Sequence, residues 1–175
     1  DEDNETGHPC DRTVTDDPDV LFGYLPHVTM DEILKALPPR SDVDKIITAY
    51  FSAKFVAVPI LHTGQFQRKY AAFWDAPEST SLLWISIFFS ILSCGTLVGT
   101  MKGTSLSQPT SHYDSLSYMK MAARCLISGQ YLKSRPLSVE ALIMHAHTRN
   151  FHNQERDPVI WTLYSVAIRL AQRQG

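Results

Sequence analysis

The chain has 175 residues, 44 % hydrophobic and 19 % charged, which is the composition of one globular domain able to bury a real core. Its net charge of -2 conceals an asymmetry: residues 1–20 hold eight acids against the single base Arg12, leaving ten acids and fifteen bases in residues 21–175. That mild basicity is spread without a stripe, which excludes the footprint of a nucleic-acid surface, and three scattered cysteines, Cys10, Cys94 and Cys125, exclude a disulfide framework and a zinc site and point to a reducing compartment.

Residues 1–28 are expected to form an acidic, loosely held N-terminal segment, poor in apolar groups until the stretch DVLFGYLPHV, which is expected to fold back onto the core. The acidic start is the opposite of a signal peptide, the missing initiator Met hints at a removed or omitted N-terminal portion, and Asn4-Glu5-Thr6 is a sequon of the kind that occurs by chance. Residues 29–175 are expected to be helical. Thr29 and Glu32 make a capping box for a short helix carrying Ile33, Leu34 and Leu37, stopped by Pro38-Pro39. Ser41 with Asp44 opens a second helix whose apolar face is Val43, Ile46, Ile47, Tyr50 and Phe51, with Phe55 one turn on and an end near Val58, before Pro59. Thr63 is the expected cap of a third, with Phe66, Tyr70, Phe73 and Trp74 on one face.

Residues 82–101, LLWISIFFSILSCGTLVGTM, carry no charge, and a helix apolar on all sides is either wrapped by other helices or lies in lipid. Five serines and threonines, Gly95 and Gly99, and the lack of flanking Lys or Arg clusters favour a buried core helix, capped by Ser79, Thr80 or Ser81, with no membrane partner. A polar loop is expected over residues 99–112, then a helix over 113–128 burying Leu116, Met119, Ala122, Ala123, Leu126 and Ile127 and ending at Gly129. Ser138 is expected to cap the next, which buries Leu142, Ile143 and Ala146. The last starts with Asp157 as N-cap and Pro158 at the first helical position, with Trp161, Tyr164, Ala167, Ile168 and Ala171 as its inward face. The sum is an all-α fold, a single domain of about seven packed helices around a buried apolar central helix.

With the helices placed, residues 37–74, LPPRSDVDKIITAYFSAKFVAVPILHTGQFQRKYAAFW, resemble the opening of the fungal-specific transcription factor domain, the middle homology region of zinc-cluster regulators. The most specific part is Tyr50-Phe51 followed by Val58-Pro59-Ile60-Leu61-His62 and Phe66; the small residues Ser93 to Gly95, the run AARCL and the closing VIWTLYSVAIRLAQRQG follow the same pattern, so that the resemblance covers residues 37–175. It implies a helical regulatory domain of a nuclear factor, acting through intramolecular inhibition, dimer contacts or a small effector, with no direct nucleic-acid contact by this chain. Members of the family carry six cysteines in a two-zinc cluster, which three scattered cysteines cannot form. Their pattern also runs past the point where this sequence stops, so the resemblance implies either a fragment or a short stand-alone relative.

Candidates for chemistry are sparse. His62 follows Pro59-Ile60-Leu61 at a turn, where its imidazole is expected to bond to backbone. Acid–base work would fall to His62, Tyr113, Asp114 or His145. His145 and His147 are two apart and cannot form an i, i+4 metal pair, while His152 could approach either past the helix end; no metal and no cofactor is expected. Tyr50, Phe66, Tyr70, Trp84, Phe88 and Trp161 are core residues that could instead line an apolar pocket. Three functions compete: a regulatory region of a zinc-cluster transcription factor; a stand-alone relative, cytoplasmic, that binds a small apolar substrate or cyclises it; and a dimerising subunit forming a homodimer.

Overall fold

The computed structural model describes residues 20–21, 25–103, 114–152 and 157–174. The expectations placed on residues 1–19, including the sequon and Cys10, and on residues 104–113, including Tyr113, lie outside them. Seven helices follow one another: α1 Met30–Lys35, α2 Arg40–Ser52, α3 Thr63–Asp75, α4 Leu82–Met101, α5 Ser115–Ser128, α6 Ser138–His152 and α7 Pro158–Gln174, with single 3-10 turns at Pro77–Ser79 and Tyr131–Lys133. Among the described residues there is no strand. The fold is the expected all-α domain.

The centre is α4. Sixteen of its twenty residues are buried, from Leu83 to Gly99, because α2, α5 and α6 pack around it. Each large aliphatic or aromatic side chain removed from water there contributes roughly 1.5–3 kcal/mol. All of its hydroxyls but that of Ser90 are served from within the protein. Ser86 Oγ donates to the Ala122 carbonyl at 2.8 Å, and Thr96 and Thr100 bond back to the carbonyls of Leu92 and Thr96 at 2.8 and 3.0 Å, so the buried helix keeps few orphaned polar groups. The helix is long and apolar enough to cross a membrane, yet it is enclosed by its neighbours. It also runs to Met101, through the glycine at which the polar loop was expected to start, since Gly99 and Thr100 continue the i→i-4 ladder.

Local signals place several helix starts. Thr29 Oγ1 accepts from the Glu32 amide while the Glu32 carboxylate accepts from the Thr29 amide at 2.9 Å, the full capping box. Glu32 also meets Arg124 at 2.9 Å, and the Thr29 backbone bond followed by Arg124 holds its carboxyl down at about 2. The Asp157 carboxylate accepts from the Val159 amide at 2.9 Å ahead of Pro158, as expected. Elsewhere the caps differ. α2 begins at Arg40, with Pro39 in the cap position and Ser41 already helical, because the fixed φ of Pro39 prepares the first turn without a side-chain acceptor. α2 also ends at Ser52 rather than near Val58. The chain turns at Ala53, so that Ala53 and Val56 enter the core and Phe55 is left 72 % exposed. The buried Tyr50 hydroxyl holds this turn by accepting from the Val58 amide at 3.2 Å.

α5 buries Met119, Ala122, Ala123 and Leu126 as expected and differs at its first turn, whereas α7 presents a different face from the expected one. In α5, Leu116 is 44 % exposed, because the helix starts at Ser115 with Asp114 as its cap and its first turn lies at the rim. In α7 the buried residues are Ile160, Leu163, Ala167 and Leu170; Trp161 and Ile168 are 75 % and 60 % exposed. α7 carries two apolar stripes, and α6, its main neighbour, takes the one that interdigitates with it. Ser138 is the buried first residue of α6 rather than its cap. Gly129 closes α5 with an ordinary right-handed φ of -73. It is small because a Cβ there would stand 2.8 Å from Leu83 Cδ2; the left-handed step passes to Gln130, at φ 56, at a cost of about 1–2 kcal/mol.

Candidate functional site

Five of the six pocket candidates do come together. Phe66 stacks on Trp84 with centroids 5.6 Å apart, Trp84 on Phe88 at 5.4 Å, and Tyr70 meets both Phe66 at 6.1 Å and Phe88 at 5.7 Å, while Tyr50 joins through Phe51. The rings fill one another's space. Tyr50 donates towards Met144 Sδ at 3.8 Å, and burial pushes its hydroxyl up to about 12; the Tyr70 hydroxyl donates to Asp44 at 2.6 Å and burial, then Asp44, push it up to about 12 as well. Both are fixed donors, and neither is poised to lose a proton near neutral pH. Trp161 lies elsewhere, on the outer side of α7.

Beside the cluster, α3, α4 and the start of α6 enclose a cleft of about 50 Å³. Phe66, Trp84 and Ile87 form its floor and His62, Gln65, Lys69 and Glu140 its polar rim. Ligand pockets usually hold about 300–1,000 Å³, so this cleft seats one small group. His62 belongs to its rim as the N-cap of α3: Nδ1 accepts from the Gln65 amide at 3.3 Å. The imidazole therefore bonds to backbone at the turn, and it takes the capping role expected of Thr63, the first residue of the helix.

The three histidines of α6 serve three separate places. His147 Nε2 bonds to the Val56 carbonyl at 2.8 Å and pins the α2–α3 connection to α6. His152, the last residue of α6, does not approach His145 or His147 but lies 2.8 Å from Ser93 Oγ and 2.9 Å from Ser115 Oγ. Ser93 Oγ donates to the Ser115 carbonyl at 2.7 Å and Ser115 Oγ to the Ser93 carbonyl at 2.7 Å, which uses the one proton each hydroxyl has. His152 Nε2 sits within hydrogen-bond distance of both oxygens and bridges the two serines. The trio ties α4, α5 and α6 together. Asp114, beside it, accepts from the Ser117 amide; its carboxyl is held low first by the Ser117 side chain, then by that amide, with Lys120 and His152 adding to it. Cross-helix pairings over 22 and 59 residues leave no mark in the sequence.

His145 is fully buried with neither ring nitrogen hydrogen-bonded among the described residues, and burial, then Arg149, push it down to about 3. In the unfolded chain the ring binds its proton below about 6.5. Between those values the unfolded state holds the extra proton, so stability falls as pH drops from about 6.5 towards 3, by at most about 1.4 kcal/mol per pH unit. His147, also lowered by burial, adds to the same limb. Urea unfolding of His145→Leu is expected to show a shallower loss between about pH 6.5 and 5 than the parent, with stability at pH 7 maintained or raised. An unchanged acid limb would assign the effect to His147 and the carboxylates.

The fold and cluster thus define a helical domain built around an occupied aromatic core. No protein-family model matches the chain, and no solved structure matches it. Curated relatives do. The chain is similar to the Zn(2)-C6 fungal-type transcription factor pigI of Monascus ruber, 32 % identical over 169 residues, 97 % of this chain and 21 % of that protein. It is similar also to the Zn(2)-C6 fungal-type transcription factor mpsB of Macrophomina phaseolina, 30 % identical over 90 % of this chain and 22 % of that protein, and to the equisetin cluster transcription factor eqxF of Fusarium heterosporum, 28 % identical over 99 % of this chain and 27 % of that protein. The chain is related to fungal zinc-cluster transcription factors, some named for secondary-metabolite clusters, and spans about a fifth to a quarter of the length of these relatives.

Proposed function

We propose that the chain is the middle homology region of a zinc-cluster regulator of a fungal biosynthetic gene cluster, working in the nucleus by contact rather than by chemistry, with DNA bound by a cysteine cluster that these residues do not contain. The observation that carries this reading is similarity along nearly the whole chain to transcription factors. Among the modes of contact, the exposed stripe of α7 favours a protein partner or a second copy over a small effector. Trp161, Tyr164 and Ile168 recur at the three- and four-residue steps of a helix-docking seam, with Trp161 75 % exposed, whereas the cleft at Trp84 seats only a small group.

The test is Trp161→Ser with Ile168→Ser, placed in the full regulator at its own locus. Exposed positions tolerate such changes within about 0.5 kcal/mol, so the melting temperature is expected to hold while transcripts of the neighbouring biosynthetic genes change. Unchanged transcripts would overturn the contact seam, and an in-frame deletion of residues 29–175 that also left them unchanged would overturn the regulatory reading.

A further inference from the structure

On the flank of α7 away from Trp161, a groove of about 390 Å³ runs between the helix and the 3-10 turn that follows α5. Leu132, Val166 and Leu170 supply apolar lining, and Arg169 and Arg173 line it from the same helix. Lys133 and Arg135 stand on the adjoining connection, which Gln174 Nε2 ties to the end of α7 by donating to the Arg135 carbonyl at 3.1 Å. Arg169, Arg173, Lys133 and Arg135 are all exposed, and no acid occurs in residues 129–138 or 158–174. The groove is therefore lined by two arginines and by no acid.

The same chain carries the matching charge. Residues 1–19 hold eight acids and one base. They join the described fold at Val20, which is buried and whose carbonyl accepts from the Tyr131 hydroxyl at 3.0 Å. Tyr131 is the neighbour of Leu132 in the groove wall. The segment is therefore tethered at Tyr131, one residue before a side chain that lines the groove. Nineteen residues reach up to about 60 Å when extended, while the α7 stretch from Thr162 to Arg173 is only about 17 Å long.

We infer that residues 1–19 dock in cis on the groove between Leu132 and the C-terminal half of α7, their carboxylates pairing with Arg169 and Arg173. Single exposed ion pairs are weak, but the tether at Val20 holds the segment at an effective concentration of about a millimolar, so weak pairs acting together suffice. The contact is screened by salt and covers a second side of α7. It is a property of this chain and holds whether or not the transcriptional reading does.

Cys10 lies inside the segment, whereas Cys94 and Cys125 are buried and burial pushes their thiols up to about 11 and 12, so a maleimide spin label is directed to Cys10 of the whole chain. In nitrogen-15 spectra at about 10 mM salt, where screening reaches only beyond some 30 Å, the amides of Leu132, Arg169 and Arg173 are expected to lose about half of their intensity or more. The loss should vanish at about 1 M salt, in Arg169→Glu with Arg173→Glu, and when Asp11, Asp16, Asp17 and Asp19 are changed to Asn. Full intensity at low salt, or broadening indifferent to these substitutions, would overturn the assignment. So would equal broadening when the label and the nitrogen-15 are on different molecules, since the occupant would then be a second copy.

Discussion

Replacing Asp157 by Ala should destabilise the fold by about 3–5 kcal/mol, the cost of removing one partner of a buried ion pair. Arg149 is buried, with its Nη2 2.6 Å and its Nε 3.0 Å from Asp157 Oδ2, and the side chains are only 5 % and 9 % exposed. The guanidinium cannot be neutralised by losing a proton, so a buried cation loses this carboxylate and the two hydrogen bonds to it. The other carboxylate oxygen caps α7 through the Val159 amide, and its loss adds about 1 kcal/mol. Against a total of about 5–15 kcal/mol this is severe, and the melting temperature of a chain this size should fall by roughly 10 °C or more. Asp157→Asn keeps a capping oxygen and should recover only that smaller part. Adding Arg149→Leu to Asp157→Ala should restore most of the loss, because a removed pair costs far less than a broken one. If Asp157→Ala melted within a degree or two of the parent, the pair would not be what holds α7. Both the Trp161 stripe and the basic groove depend on that placement.

The second large effect is a change of sign along one helix. Gly95 sits where α2 crosses α4: a Cβ there would collide with the Ile46 carbonyl oxygen and lie 2.8 Å from Ile46 Cγ2. Backbone on the far side cannot swing away as a side chain could, since Val43, Ile46 and Tyr50 are all buried by the same packing. Gly95→Ala should therefore cost about 2–3 kcal/mol net of the helix propensity it adds. Gly99, one turn later, has nothing within 4 Å of its added Cβ, so Gly99→Ala should stabilise by about 0.5–1 kcal/mol. Urea unfolding of the two variants decides it; a shift of the same sign in both would mean that α2 and α4 do not approach this closely.

How much of the molecule was legible beforehand depends on how far each signal reaches along the chain. The capping box of Thr29 and Glu32, the Asp157-Pro158 start and the backbone-bound His62 each involve residues within a turn of one another, and each is present. The aromatic candidates on α3 and α4 were placed together because both helices have aromatic residues on the faces they turn to each other. Trp161 was misplaced for the opposite reason: α7 has two apolar stripes about 120° apart by helical spacing, and no local rule says which of them α6 accepts. The end of α2 failed similarly, since the apolar run after Ser52 fits a continued helix as well as the turn that the Tyr50 hydroxyl holds at Val58.

By itself, the sequence determined the number of helices, the burial of the uncharged α4 and the charge asymmetry between residues 1–20 and the rest, because periodicity, capping chemistry and charge are written in neighbouring residues. Tertiary structure alone decided which stripe of α7 faces water, that His152 meets Ser93 and Ser115, and that the Tyr131 hydroxyl holds the Val20 carbonyl. Those features depend on close approaches between residues 22 to 111 positions apart, where steric fit among whole helices, not the preference of any one segment, selects the arrangement.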